Sequence, residues 1–291
     1  MSVVETKTEA EDPLVIRLQN GQTLHVESNE AIDADEIPII NVAGIYSDKL
    51  EDRQAVAEKV REAAHRIGFF YVVNHAFNLA YAADQDPENP DNDRGSSIWP
   101  SELPGFREGL YAYHTPMLQF ARKMAQIFAL ALRLPESYFD KWTRLPEAGL
   151  RILHYPEQEA SVDDQNGIGA HTDFECFTIV NQDMSGGLEV LSKSGRWIRA
   201  KPVPDSFVVN IADCFMRQTN DYFVSTVHRV INKSGKERYS IPFFFGMDRN
   251  MVMEPIPSCI SEENPAKYPV ITAGEYYLWR AKRAKQGDNT D

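Results

Sequence analysis

Cysteine is scarce in this chain. Its three residues, Cys176, Cys214 and Cys259, are odd in number and form no Cys-x-x-Cys pair. That argues against a disulfide framework or a structural zinc site and fits a reducing, cytoplasmic setting. Long apolar runs are missing too: none approaches the ~18 residues of a membrane span, and Met1 to Pro13 lacks the apolar core of a signal peptide. Positive charge is outnumbered, with 30 Lys and Arg against 43 Asp and Glu and a formal charge of -13. A broad surface for nucleic acid or an anionic membrane is therefore not expected. Nor is there a glycine-rich phosphate loop or an internal repeat. These absences point to neither a nucleic-acid nor a membrane partner, and a monomer or weak homo-oligomer is expected.

What is present suits one large domain with a sizeable core: 291 residues, 43% hydrophobic and 11% aromatic. Residues 1–35 are polar and acidic and read as a loose arm. From 36 to 149 the pattern is that of an α/β support. "IPIINV" (37–42) reads as a strand, and "KLEDRQAVAEKVREAAHRIG" (49–68) as a helix that closes on Gly68. The strand "FFYVVNH" (69–75) follows, then a Pro/Asp/Asn-rich loop through 104. A long helix is predicted near 105–134, where Phe106, Leu110, Tyr113, Met117, Phe120 and Met124 recur at helical steps. Between 150 and 250 the chain becomes short strands separated by turns, such as "RILHYP", "ECFTIVNQ", "GLEVL", "SFVVNIA" and "RYSIPFFF". Close spacing without intervening helices favours antiparallel pairing in a sandwich or barrel. A C-terminal segment and helix (251–285) and a tail (286–291) complete a single domain over 36–285. The fold class is α+β, mainly β.

The chemistry-bearing residues fall in the strand-rich half. In "GIGAHTDFECFTIV" (167–180), His171 and Asp173 are two positions apart, so an extended chain projects both to one face and turns Thr172 away. Such a pair can be an ion pair, an acid/base pair or part of a metal site. His228, in "STVHRVINKSG", lies late in the same region and supplies a third corner if its strand is adjacent. Two histidines and a carboxylate on one side of a metal are the facial triad of non-haem Fe(II) oxygenases. The remaining histidines (His25, His65, His75, His114 and His154) read as ordinary surface or core residues. Arg238 and Ser240 form another i,i+2 pair in the apolar "RYSIPFFF", with no acid in the strand. A buried arginine needs an anion, and guanidinium grips a carboxylate bidentately. By the same alternation Phe244 points with Arg238 and Ser240 toward the pocket, while Phe243 and Phe245 turn into packing. Asp213 reads either as a residue that orients a neighbouring strand or ligand, or as a turn residue.

Taken in order, "IPIINVAG", "GFFYVVNHAF", "GIGAHTDFECFTIV", "GGLEVL", "TNDYFVSTVHRVIN" and "ERYSIPFFF" resemble the iron- and 2-oxoglutarate-dependent dioxygenases of the isopenicillin N synthase type. The resemblance covers most of the chain. It implies a distorted jelly roll (a double-stranded β-helix) with supporting helices. It further implies Fe(II) held by His171, Asp173 and His228. Arg238 and Ser240, helped by Tyr155, would hold the far carboxylate of 2-oxoglutarate, the co-substrate consumed with O2. The implied activity is hydroxylation, desaturation or ring rearrangement of a small organic molecule in secondary metabolism. The alternatives are an oxidase of the same type that does not use 2-oxoglutarate, a zinc hydrolase, and a non-catalytic binding protein.

The chain departs from the family's pattern at several places. Leu153 stands where plant members carry an Asn that assists the co-substrate, and Ala76 stands where Gly is usual. Glu175 reads as an exposed or loop-supporting acid, with a substrate contact as the alternative. The stretch from 76 to 99 is shorter than usual and too polar to order itself. It is expected to leave a mobile, open flank beside the iron that accepts a bulky or elongated substrate.

Overall fold

The computed structural model describes residues 14–17, 23–77, 99–158 and 167–285. Three short strands come first: β1 (Leu14–Arg17), β2 (Thr23–Val26) and β3 (Ser28–Ile32). They correct the expectation of a loose arm up to residue 35. Ile16, Val26 and Ala31 alternate out of a polar background and bury against Leu191, Trp197 and Val227, which supplies the apolar contact an arm would lack. Strands β4 (Ile39–Asn41) and β5 (Phe69–Val73) flank helix α1 (Leu50–Arg66). Helix α2 (Phe106–Ala131) follows, within the predicted 105–134 span. The predicted open flank falls almost wholly on 78–98, outside the described residues.

The strand-rich half runs β6 (Ala148–Leu150), β7 (Leu153–Tyr155), β8 (Ile168–His171), β9 (Phe177–Gln182) and β10 (Leu188–Leu191). It continues with β11 (Arg196–Arg199), β12 (Ser206–Ile211), the short helix α3 (Asp213–Gln218), β13 (His228–Val230) and β14 (Arg238–Phe245). A β15–β16 pair (Val252–Met253, Ile271–Thr272) leads into α4 (Ala273–Lys285).

Two sheets result. One has the order β3-β11-β10-β13-β8; the other runs β4-β5-β12-β9-β14-β6, with β7 also on β14. From β7 to β14 the chain passes repeatedly from one sheet to the other. Side-chain alternation then decides which residues meet. Phe69 and Tyr71 of β5 and Val208 of β12 point between the sheets, where they pack on Leu188, Val190 and Val230. Their neighbours Phe70, Val72, Val209 and Ile211 point outward, into a core shared with α1 and α2 that includes Met117, Met124 and Phe128. The helices thus cover one face of the larger sheet and leave the inter-sheet space to the site.

The turn from α1 into β5 fixes how that support is attached. Gly68 has φ 69°, and its N–H closes the helix on the Ala63 carbonyl at 2.9 Å while its own carbonyl accepts the Ile211 N–H at 2.8 Å. A Cβ there would lie 2.0 Å from the Val224 oxygen. Gly68→Ala is therefore expected to lower the unfolding free energy by roughly 2–3 kcal/mol, the sum of left-handed strain and clash. Urea denaturation checks this, and a loss below about 0.5 kcal/mol would show that the turn relaxes freely.

Candidate active site

The register between β8 and β13 makes His171 and His228 direct cross-strand partners, so both rings occupy one face with centroids 4.3 Å apart. Asp173 lies just beyond β8. The strand stops at His171 rather than running through the pair, yet the i,i+2 placement holds: Asp173 Oδ1 is 3.7 Å from Nε2 of each histidine. The three ligand atoms lie within 4.8 Å of one another.

Each group is oriented from behind. His171 Nδ1 sits 2.8 Å from the Gly169 carbonyl and His228 Nδ1 3.1 Å from that of Thr226. A carbonyl only accepts, so each Nδ1 carries a proton, and each Nε2 is the ring nitrogen turned to the common centre. Asp173 Oδ2 accepts hydrogen bonds from Thr178 (2.5 Å) and Asn210 (2.8 Å), leaving Oδ1 to face the histidines. Burial, and next the neighbouring His228, push His171 down to about 4. Burial also opposes charge on Asp173. The two imidazoles and the Thr178 and Asn210 hydrogen bonds outweigh it and hold the carboxyl below its usual range. Neutral imidazoles beside a carboxylate are the protonation states that ligate a divalent metal. The donor set fits iron(II) bound on one side, with the cavity side open to other ligands.

That cavity has a volume of about 530 Å³. At one end lies Arg238, 1% exposed. It donates to the Gly186 carbonyl (2.6 Å), to Ser240 Oγ (3.0 Å) and to Gln182 Oε1 (3.1 Å), and lies over the Tyr155 ring at 4.7 Å. Among the described residues no carboxylate forms an ion pair with it. Leu153 lines the same end and contributes no polar group to it. Phe244 lines the wall as expected, while Phe243 and Phe245 are buried in the outer core.

Glu175 corrects the reading of an exposed acid. It is partly buried and lines the other end of the cavity with Phe174 and Tyr277. The backbone explains this, because the 173–176 loop is clamped from the α3 side. Asp213, Cys214 and Ala212 donate their N–H groups to the carbonyls of Asp173, Glu175 and Cys176 at 3.0, 2.9 and 2.9 Å. Burial, and next the Asp173 carboxylate, raise Glu175 to about 8.

Nothing in the sequence points to Arg280 or Tyr276 of α4. Asp213, fully buried, accepts hydrogen bonds from Ser225 (2.7 Å) and Tyr276 (3.2 Å) and pairs with Arg280 at 3.2 Å. Arg280 also donates to Thr172 Oγ1 at 3.0 Å and stacks on Phe174 at 4.7 Å. An arginine in a C-terminal amphipathic helix carries no sequence mark that separates it from its exposed neighbours. The other described histidines stay out of the site: His75 stacks on Phe207 at 4.2 Å, and His114 bonds the Ala148 carbonyl at 3.1 Å.

A two-histidine, one-carboxylate centre in the space between two sheets defines a metal-dependent enzyme of the non-haem iron class. Residues 146–247 match the 2OG-Fe(II) oxygenase superfamily, and residues 37–84 match the N-terminal region described as non-haem dioxygenase in morphine synthesis. The chain is 33% identical to the 2-oxoglutarate-Fe(II) type oxidoreductase ppzC of Metarhizium majus, over 91% of this chain and 93% of that protein. That alignment spans 348 positions, more than the whole chain, so the relative carries insertions that this chain lacks. The 2-oxoglutarate-Fe(II) type oxidoreductase hxnY of Emericella nidulans is 44% identical over 61% of this chain and 53% of its own length. Among solved structures, a full-length Neurospora crassa protein in complex with alpha-KG and 5-formyluracil superposes with a TM-score of 0.76 at 25% identity, covering 87% of this chain and 99% of that one. The chain belongs to the 2OG-Fe(II) oxygenase family and is an oxidoreductase that uses Fe(II) and 2-oxoglutarate.

The raised Glu175 has a consequence for the metal-free protein. Its folded pKa, about 8, exceeds the usual 4.5, so its contribution favours folding fully below pH 4.5 and is lost as pH rises through about 8. Glu175→Gln does not titrate. Its melting temperature relative to the wild type, both in chelator, should rise from pH 5 to pH 9; a constant difference would show that Glu175 ionises normally.

Proposed function

We propose that the chain catalyses hydroxylation, desaturation or ring rearrangement of a small organic molecule in secondary metabolism, in a cytoplasmic setting. It would act as a monomer or weak homo-oligomer, with no nucleic-acid or membrane partner. Among the described residues no helix is long and apolar enough to cross a membrane. The proposed architecture is the double-stranded β-helix, a distorted jelly roll: β7, β14, β9 and β12 would form one half and β8, β13, β10 and β11 the other, an assignment supported by the sheet orders. His171, Asp173 and His228 are the proposed iron ligands, Arg238, Ser240 and Tyr155 the proposed 2-oxoglutarate cradle, and Phe244 a substrate-facing wall.

The observation that carries this reading is that one cavity is lined by both the triad and a buried guanidinium without a carboxylate partner among the described residues. A buried charge left unpaired costs several kcal/mol, and a ligand carboxylate removes that cost. Iron and 2-oxoglutarate, when bound, supply O2-dependent oxidation coupled to decarboxylation, which releases succinate and carbon dioxide. The protein's own residues do the positioning. Thr178 and Asn210 hold the Asp173 carboxylate, Gly169 and Thr226 set the two imidazoles, and Ser240 and Gln182 fix the guanidinium plane. Phe244, Val180 and Leu188 give the cavity apolar walls that exclude water from the reacting centre.

His171→Ala, Asp173→Ala and His228→Ala should each abolish Fe(II)-dependent succinate formation while circular dichroism stays native-like; near-normal turnover in any one would remove that residue from the metal site. Arg238→Lys keeps the charge but loses the planar fork. It should weaken 2-oxoglutarate binding by roughly 10- to 100-fold, the loss of one or two charge-assisted hydrogen bonds, with iron affinity little changed. Anaerobic titration of the Fe(II) protein followed by visible absorption checks this, and an unchanged 2-oxoglutarate affinity would assign the cradle elsewhere.

A further inference from the structure

The cavity is electrically asymmetric along β14. Arg238 and Phe244 both face into it, six residues apart, which in a strand is roughly 20 Å. The ladder with β9 places Phe244 opposite Thr178, the residue that holds Asp173, and Ser240 opposite Gln182, which holds Arg238. The triad therefore lies toward the Phe244 end. Glu175 lies at that end too: a Cβ on Gly246, just past the strand, would be 3.3 Å from Glu175 Cγ.

Among the described residues, the neighbours of Glu175 leave it without a counter-charge. Arg249 is committed to Glu147 through two bonds of 2.8 Å, and Arg280 to Asp213. Arg151 lines the rim but is exposed and forms no ion pair with Glu175. Glu175 Oε2 accepts a hydrogen bond from the Phe174 N–H at 3.2 Å. Three aromatic side chains line the same cavity, Phe174, Phe244 and Tyr277. A carboxyl that lines an aromatic-walled cavity is an arrangement that receives a cationic nitrogen, through a charge-assisted hydrogen bond to the carboxyl and apolar contact with the walls. A neutral substrate could donate at most an uncharged hydrogen bond to that carboxyl, and an anionic one would be repelled by it when ionised.

We propose that Glu175 determines specificity at the substrate end of the cavity, and that the substrate presents a protonated amine to it among Phe174, Phe244 and Tyr277. This rests on the assignment of the Arg238 end to 2-oxoglutarate. The two ends then sort their ligands by charge, the dicarboxylate to the guanidinium and the amine to the carboxyl.

The probes are 2-phenylethylamine and 2-phenylethanol, near-isosteres that differ in the cationic group. Both are titrated calorimetrically, without oxygen, into the Fe(II) protein saturated with 2-oxoglutarate. The amine should bind roughly tenfold or more tighter, as one charge-assisted hydrogen bond implies. Glu175→Gln, which keeps the side chain's size, should bring the two affinities together. Alcohol binding equal to or tighter than amine binding in the wild type, including no binding of either, overturns the proposal whether or not the variant folds, as does a preference that survives in Glu175→Gln. A prior titration with 2-oxoglutarate alone separates the two levels. Its failure in the wild type overturns the underlying site assignment and this proposal with it, whereas its success with equal probe affinities overturns only the role of Glu175.

Discussion

The pairing of β13 with β8 is the constraint on which the site depends. His171 and His228 are 57 positions apart in the chain and meet only because these strands are antiparallel with those two residues in register. A slip of one residue would turn His228 to the opposite face of its strand. The register is held from both sides. On one flank β13 pairs with β10, with His228 opposite Val190 and Val230 opposite Leu188; these three apolar residues are buried between the sheets. On the other, the Gly167 N–H donates to the Val230 carbonyl at 2.8 Å. Gly167 leaves no space for a side chain, since a Cβ would lie 2.6 Å from the Tyr155 ring. The metal-competent geometry and the inter-sheet core are thus set by the same register.

Asp173 needs a different device, because it lies past the end of β8 in a loop. Thr172, between the two proposed ligands, turns away from the centre and enters the buried network of Asp213 and Arg280. Burial raises Asp213 to about 6, offset by the Arg280 charge and by the hydrogen bonds of Ser225, Thr172 and Tyr276. A buried pair of this kind is weak evidence for stability, but loss of one partner strands the other. Its value here is positional. It joins α4, α3 and the loop through buried side chains, so the C-terminal helix fixes the reach of Asp173 from behind.

The sequence disclosed the parts of this arrangement that follow from local periodicity. The two-residue spacing of His171 and Asp173, the alternation that separates Phe244 from Phe243 and Phe245, and the glycine ending α1 are all properties of a few consecutive residues. Three things were not legible for the converse reason. The strands in residues 14–32 gain their stability from Trp197 and Leu191, which lie far along the chain. Glu175 looks like a loop acid until backbone bonds from residues 212–214 draw its loop inward. Arg280 and Tyr276 occupy a helix whose pattern does not distinguish a residue facing Asp213 from one facing water. In each case the deciding contact is long-range.

Pro242 shows how the asymmetry of the cavity is built into the sheet. A proline inside a strand paired on both sides lacks the N–H that the ladder requires. Here the partner on one side changes: β14 pairs with β7 from Arg238 to Ser240 and with β6 from Phe243 to Phe245. The interruption, at Arg151 and Ile152, falls opposite Pro242, whose carbonyl still accepts the Arg151 N–H at 3.1 Å. On its other side Pro242 faces Val180. The break divides this wall in two, Leu153 and Tyr155 beside Arg238 and Gly149 beside Phe244. Gly149 contributes no side chain, and a Cβ there would already be in contact with Phe244 at 3.9 Å. One strand therefore carries a cationic half and an aromatic half, and the proline marks the boundary between them.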